Sequence, residues 1–334
     1  MKFVDLTPTG KLRRELDAAY ERVMSSGQYI GGAEVEAFEC EWADYIGTRY
    51  CVACGNGFDA LQLVLRATGT LPRERIAVPD WTATPTWAAV EAVGAIPVIE
   101  KLGYSEYFRL RIKVHLYGIP IHVWTCSKNP GMGIIEDCAQ AHGATVNGKR
   151  CGSLGLAGCW SFYPTKNLGA YGDGGAITTD DDGLAAELRL LRSYGKPGAI
   201  NSRLDPLQAA FLRVKLPYLD GWNARRREIA AMYQAGFRDL DNKSLPAVPA
   251  NCEPVWHQFV IRTPERDNLQ AFLAARGIPT MIHYPAPPHR ALGYDYDLPE
   301  ADRMAAEVLS LPIGPHLSDE DVAAVVAAMK EWAG

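Results

Sequence analysis

Short apolar runs alternate with helical stretches through the first two hundred residues, and few folds accommodate that rhythm. YCVAC (50–54) reads as a strand, GNG (55–57) as a turn and DALQLVLRAT (59–68) as a helix. The unit returns at IAVPDWTATPTWAAVEAVG (76–94), IPVIE (96–100), IKVHLYG (112–118) and GIIEDCAQAHG (133–143), while WSFYP (160–164) and GGAITT (174–179) add strands. Two helices precede them: LRRELDAAYERVM (12–24) and VEAFECEWADYIG (35–47) carry apolar residues at helical spacing. Strands alternating with helices predict an α/β fold with a mostly parallel central sheet covered by helices.

After about residue 205 the pattern changes. DPLQAAFLRVKLPYL (205–219) and WNARRREIAAMYQAGF (222–237) read as long helices. They lead to a strand at VWHQFVIR (255–262), a helix closing at Gly277, a strand at TMIHYP (280–285) and a last helix. That helix begins with Ser318 and Asp321 spaced as a capping box. The expected organisation is a large α/β domain over 1–215 and a smaller α+β domain over 216–334.

Charge and targeting signals narrow the partners. A net charge of −5 excludes the broad cationic field that nucleic acid or an anionic membrane surface requires. No apolar run is long enough to span a bilayer, and MKFVDLTPTGKLRRELDAAY lacks the layout of a signal peptide, so a cytoplasmic protein is expected. Cys51 and Cys54 form a CxxC with no second close pair, and buried reduced thiols are expected there rather than metal ligands.

Four segments fall near strand ends, where open α/β sheets bind ligands. GNGFDAL (55–61) can present backbone N–H groups and a helix N-terminus to a phosphate, although a plain strand-to-helix turn uses the same glycines. In IIEDCAQAHG, Asp137 ends an apolar strand and can face a protonated heterocycle, with Gln140 turned back to the same ligand; alternatively Asp137 caps a following helix. His115 and His142 read as satisfied structural histidines. In WSFYPTKNLGAYGDGGAITT (160–179), Lys166 follows aromatic residues and precedes glycines. Desolvation would lower its amine pKa and make a neutral nucleophile for a carbonyl, with Ser161 offering a hydroxyl to phosphate; a lysine snorkelling at a strand end is the alternative. NSRLDPLQAA (201–210) starts a helix with Asn201 and Arg203 before it. An imine-forming lysine, an acid for a pyridinium nitrogen and a phosphate cradle are together the demands of pyridoxal 5'-phosphate.

These residues, with SGQYIGG, KVHLYG, LRSYG, NSRLDPLQAAFLRVKL, GIPTMIHYP and LSLPIGPHLS, extend over nearly the whole chain, which resembles the DegT/StrS family of pyridoxal-phosphate-dependent nucleotide-sugar aminotransferases. The resemblance implies an aspartate-aminotransferase-like (type I) fold and a homodimer with active sites shared across the subunit interface. It implies that Lys166 is the Schiff-base lysine, Asp137 the pyridinium partner and Gln140 a contact to the ring hydroxyl. Ser161 and the backbone of Gly57 and Phe58 would bind phosphate, with Asn201 reaching it from the neighbouring subunit. An amino donor, typically glutamate, would convert the cofactor to pyridoxamine phosphate, and a keto-sugar on a nucleotide would take the amine. NSRLD, WHQFVIR and IHYPAPPH resemble the branch that aminates dTDP-3-keto-6-deoxyhexoses, which makes His283, Tyr284 and Arg203 substrate candidates; a strand-end histidine with a backbone partner is the other reading of His283.

The chain departs from the family in three places. Phe58 stands where threonine is common, Ala83 where an aromatic usually stacks on the cofactor ring, and the segment 97–133 is shortened. Trp81 and Trp87 are the candidate substitutes for the aromatic. These departures also motivate a second reading, a cofactor-binding regulator or inactive paralogue of the same fold. A serine hydrolase is disfavoured by the lack of a GxSxG elbow.

Overall fold

The computed structural model describes residues 1–99, 108–123, 133–238, 240 and 245–333. Its strands are β1 (Tyr50–Cys54), β2 (Arg75–Val78), β3 (Ile96–Ile99), β4 (Leu110–Val114), β5 (Gly133–Asp137), β6 (Thr145–Val146), β7 (Lys149–Arg150), β8 (Ala157–Ser161), β9 (Gly175–Thr179), β10 (Cys252–Glu253), β11 (Phe259–Arg262) and β12 (Val308–Leu311). Its helices are α1 (Gly10–Ser26), α2 (Ala33–Ile46), α3 (Gly57–Ala67), α4 (Thr84–Ala92), α5 (Asp182–Leu191), α6 (Pro206–Lys215), α7 (Leu219–Gly236), α8 (Arg266–Ala275), α9 (Pro288–Ala291), α10 (Pro299–Glu307) and α11 (Asp319–Ala333).

Among the described residues, seven strands form the main sheet in the order β1-β9-β8-β5-β4-β2-β3. The run from β8 to β3 is parallel, and β9 lies antiparallel to both its neighbours. The α/β expectation holds. Successive strand side chains point to opposite faces, and the two faces bury different cores. Val52, Cys159 and Ile177 pack with Leu61 of α3, Trp87 of α4 and Leu188 of α5. Ala53, Trp160 and Ala176 pack with Phe38 and Trp42 of α2 and Leu212 of α6. Cys51, Cys54, Cys138, Cys151 and Cys159 are buried and unpaired, as expected of reduced core thiols.

A third core gathers Ile229 and Tyr233 of α7, Phe259 of β11, Leu273 of α8, Leu311 of β12 and Val325 of α11. Helix α7 joins two cores, since its first residue, Leu219, packs with α2 and α6 while its second half lies in the third. Before α11, Asp321 N–H donates to Ser318 Oγ at 3.1 Å and Ser318 N–H to the Asp321 carboxylate at 3.2 Å, which forms the expected capping box.

Two expected elements are absent. No helix follows β5: residues 138–144 make tight turns, with Ala141 N–H donating to the Cys138 carbonyl and Ala144 N–H to that of Ala141, each at 2.9 Å. Cys138, Ala141, His142 and Ala144 are fully buried and Gln140 nearly so, while Ala139 and Gly143 are only partly covered, so the segment lacks the broad exposed face of an amphipathic helix. Asp137 therefore caps no helix. TMIHYP forms one bridge, Met281 to Ser310, rather than a strand, because Pro279 and Pro285 flank it and cannot donate to a ladder. Much of the shortened segment 97–133 lies outside the described residues.

Gly175 brings β9 against the turn after β1. A Cβ there would lie 2.4 Å from the backbone carbonyl of Asn56. Gly175→Ala should destabilise the protein by about 1–3 kcal/mol through overpacking, read as a lower urea midpoint at unchanged m-value.

Candidate active site

The C-terminal ends of β4, β5 and β8, with the turn after β1, meet at a cavity of about 360 Å³. Open parallel sheets leave such a crevice because their crossovers diverge there. Into it face Gly57, Phe58, Asp137, Gln140, Ser161, Lys166 and Tyr284, seven of the ten residues expected to form the site.

The turn after β1 is built for an anion. Asn56 caps α3 by accepting from Asp59 N–H at 2.8 Å, and Gly57 and Phe58 stand in the first turn, where N–H groups have no preceding carbonyl to bond. The positive end of the helix lies beside Ser161. Gly57 permits that approach, since a Cβ would lie 2.7 Å from Ser161 Cβ.

Asp137 is buried at the end of β5. Its Oδ2 accepts from Thr86 Oγ1 at 2.8 Å and its Oδ1 from Ala139 N–H at 3.2 Å. Burial nevertheless raises its pKa, against the pull of those donors and of Lys166. Lys166 sits in the turn after β8, its N–H bonded to the Tyr163 carbonyl at 2.8 Å. Burial of its amine lowers the pKa from 10.5 to about 8, opposed by the Asp137 charge. The two groups form no ion pair; space between them is left for a ligand. An amine that is partly neutral at physiological pH, a carboxylate lacking a cation and an anion cradle around one cavity fit pyridoxal phosphate.

Gln140 is oriented by the backbone. Tyr117, held at φ 61° in the turn after β4, donates its N–H to Gln140 Oε1 at 2.5 Å. The amide nitrogen then points to Tyr284 Oη at 2.8 Å. Gln140 thus offers the cavity an N–H donor.

Asn201, Arg203 and His283 do not line this cavity. Asn201 is exposed in an isolated bridge to Ser193. His283 meets the Ser310 hydroxyl through Nδ1 at 2.8 Å, not the backbone partner weighed for it, and burial lowers its pKa to about 4. Neither tryptophan lines this cavity: Trp87 is fully buried with Nε1 on the Pro79 carbonyl, and Trp81 Nε1 donates to Tyr117 Oη. Ala83 itself lines the cavity. His115 pairs with Glu136 at 2.9 Å inside the core, as expected of a satisfied structural histidine; His142 is equally buried and its Nε2 donates to the Ser161 carbonyl at 2.9 Å, but its Nδ1 has no hydrogen-bond partner among the described residues.

Sequence reasoning missed Thr86, Asn56 and Tyr117. Thr82 and Thr86, four apart at a helix start, share a face and bond each other at 3.2 Å, a spacing the sequence displays. Asn before a glycine and a helix is a cap signal. Nothing local marks Tyr117, whose part depends on where Gln140 arrives.

A family model described as the DegT/DnrJ/EryC1/StrS aminotransferase family matches residues 11–102 and 110–330. A dTDP-3-amino-3,4,6-trideoxy-alpha-D-glucose transaminase of Streptomyces venezuelae is 43% identical over 363 residues, covering 99% of this chain and 96% of the relative. A dTDP-3-amino-3,6-dideoxy-alpha-D-galactopyranose transaminase of Aneurinibacillus thermoaerophilus is 43% identical over 361 residues, covering 99% of both chains. The solved structure of S. venezuelae DesV in complex with a ketimine intermediate superposes with a TM-score of 0.90 at 42% identity, covering 97% of this chain and 95% of that one.

The electrostatics make a prediction that needs no substrate. In the apoprotein, labelling of Lys166 by a limiting amine-reactive reagent, followed by peptide mass mapping, should rise with a midpoint near pH 8. At pH 7 its neutral fraction should exceed that of an ordinary lysine by roughly two orders of magnitude. Asp137→Asn should move the midpoint lower still, because the carboxylate charge raises the amine pKa.

Proposed function

We propose, for a chain that belongs to the DegT/DnrJ/EryC1/StrS aminotransferase family, transfer of an amino group onto a nucleotide-linked keto-deoxysugar, with a dTDP-3-keto-6-deoxyhexose as acceptor and glutamate as donor. The observation that carries the reading is the Lys166 amine, brought to about pKa 8 and left without a protein partner beside the buried Asp137. The acceptor class follows the names of the two transaminase relatives.

Pyridoxal phosphate, when bound, supplies an aldehyde carbon for an amine and a ring that takes up the electron pair released at the donor's α-carbon. Lys166 Nζ would hold the group through its aldehyde and would serve as the base and acid beside it; a pKa near 8 lets the amine accept and return a proton without a large penalty either way. Asp137 would hold the ring nitrogen. A protonated ring nitrogen would be the cation this buried carboxylate lacks, and Thr86 Oγ1 and Ala139 N–H fix the carboxylate's direction. The α3 N-terminus, with the Gly57 and Phe58 N–H groups and Ser161, would hold the phosphate. Gln140, donor only, suits the ring hydroxylate, and Tyr284 stands where a sugar oxygen would enter, with His283 behind it. Arg203 is assigned to the diphosphate.

A homodimer completes the site. Asn201 is exposed and away from its own cavity, which suits a side chain offered to the partner's phosphate. Exposed Tyr163 beside the cavity is the kind of aromatic surface a second copy would cover. The chain divides near residue 216 into a cofactor domain and a smaller one. No described helix is long and apolar enough to cross a membrane; we assign the reaction to the cytoplasm.

Incubation of the purified protein with dTDP-3-keto-6-deoxyhexose and glutamate tests the reading; an aminated dTDP-sugar is expected. Lys166→Ala should eliminate borohydride trapping at its peptide, and Asp137→Ala should lower kcat by about 10²–10⁴-fold, the usual scale for a proton-managing group. Mixing Lys166→Ala subunits with Asn201→Ala subunits should restore activity, because each hybrid dimer then holds one intact site. No recovery on mixing would remove the shared-site assignment.

A further inference from the structure

Behind Lys166 and Ser161 lies a chain of buried polar side chains that the reaction does not use. Asn167, His142, Asn223 and His257 are each at most 8% exposed. Asn167 Nδ2 donates to Asn223 Oδ1 at 2.9 Å and to the Val255 carbonyl at 3.0 Å. An amide nitrogen has two hydrogens, so both are engaged, and Asn167 Oδ1 is left to accept from His257 Nδ1 at 3.0 Å. Asn223 Nδ2 donates to the His142 carbonyl at 2.8 Å, and His142 Nε2 donates to the Ser161 carbonyl at 2.9 Å. Every direction in the chain follows from these donor counts.

Asn223 is the branch point. Its oxygen holds the side chain next to Lys166, and its nitrogen holds the residue whose ring bonds Ser161. The fit is close: Gly143 has φ +93°, and a Cβ there would lie 2.8 Å from Asn223 Nδ2. One turn on, Arg226 Nη1 donates to the Trp256, His257 and Ile313 carbonyls at 3.1, 3.3 and 3.1 Å, tying the same face of α7 to the segment that enters the third core.

We propose that Asn223 is a positioning residue that fixes the Lys166 amine and the Ser161 hydroxyl relative to one another. Two groups that must meet one ligand from opposite ends are referred to a single amide on a helix rooted in two cores. A buried amide satisfied on both sides is also costly to displace, because each lost bond leaves a buried polar group unpaired. The proposal rests on the assignment of Lys166 and Ser161 to one cofactor, but part of its test does not.

The test uses the full chain with Asn223→Ala and, in case that variant does not fold, Asn223→Ser, which keeps a hydroxyl in the same space. Ile229→Val, a conservative change on α7 in the third core, serves as a control that alters packing alone. Two readouts are taken: affinity for pyridoxal phosphate by titration, and the pH midpoint of Lys166 labelling in the apoprotein. Asp137, His142, His257 and His283 are the titratable groups whose interaction with Lys166 is felt at that amine or at their own rings, and all are retained. The expected result is affinity weaker by about tenfold or more, the scale of a misplaced anchoring group. The labelling midpoint should rise by about half a pH unit or more, since a looser lysine regains water and with it the charged form. The control should move neither. Affinity and midpoint unchanged in Asn223→Ala or Asn223→Ser, with only the melting temperature lowered, would overturn the proposal. Should the parent chain fail to attach pyridoxal phosphate, the functional reading falls, and the labelling midpoint still decides the role of Asn223.

Discussion

Everything at this site depends on a lysine and an aspartate being withheld from water on one cavity wall without touching. Burial acts on them in opposite senses, pulling the Lys166 amine down to about 8 and pushing the Asp137 carboxyl up. Their mutual attraction opposes both shifts and loses to desolvation in each case. Had they formed a close ion pair, the amine would be fully charged and useless as a nucleophile. The gap between them therefore matters as much as the groups. Thr86 and Ala139 N–H hold the carboxylate back, and the turn bonded at Tyr163 holds the lysine.

The sheet makes that gap. Asp137 and Ser161 end neighbouring parallel strands, and the turn that presents the α3 N-terminus follows β1, two places further across. Inserting antiparallel β9 between β1 and β8 sets the spacing, and glycines at 57 and 175 let backbone and strand approach where any side chain would collide. Helix α7 then links the second and third cores, so the turn that carries Lys166 is braced from behind by groups belonging to both. Buried amides suit that bracing because they carry directionality that apolar packing lacks, at no cost in charge.

Much of this was legible in the chain itself. The strand–turn–helix rhythm follows from side-chain period, so the α/β layering, the helix at 266–275 and the Ser318–Asp321 cap were readable from local pattern. Lys166 and Asp137 were likewise readable, because an aromatic-flanked lysine before glycines and an acid ending an apolar strand are each poorly placed for solvation, whereas Tyr284 came only from the family resemblance. Where local pattern competed with burial, it lost. CAQAHG reads as a helix start but is mostly buried, and TMIHYP reads as a strand but is fenced by prolines. Trp81 and Trp87 could not be ranked against Ala83 by spacing, since which ring reaches a cavity depends on the course of the backbone after β2.

By itself, then, the sequence determined periodicity, chemistry and order: which segments would be strands, which lysine and which acid were available, and that they fell near strand ends. Only the tertiary structure decided which of them meet. It turned Gln140 through a contact with Tyr117, directed Asn201 and His283 away from the cavity of their own chain, and joined Asn167, Asn223 and His142 from distant parts of the chain. Hydrogen-bond direction and desolvation are properties of three-dimensional surroundings, and no local pattern of residues contains them.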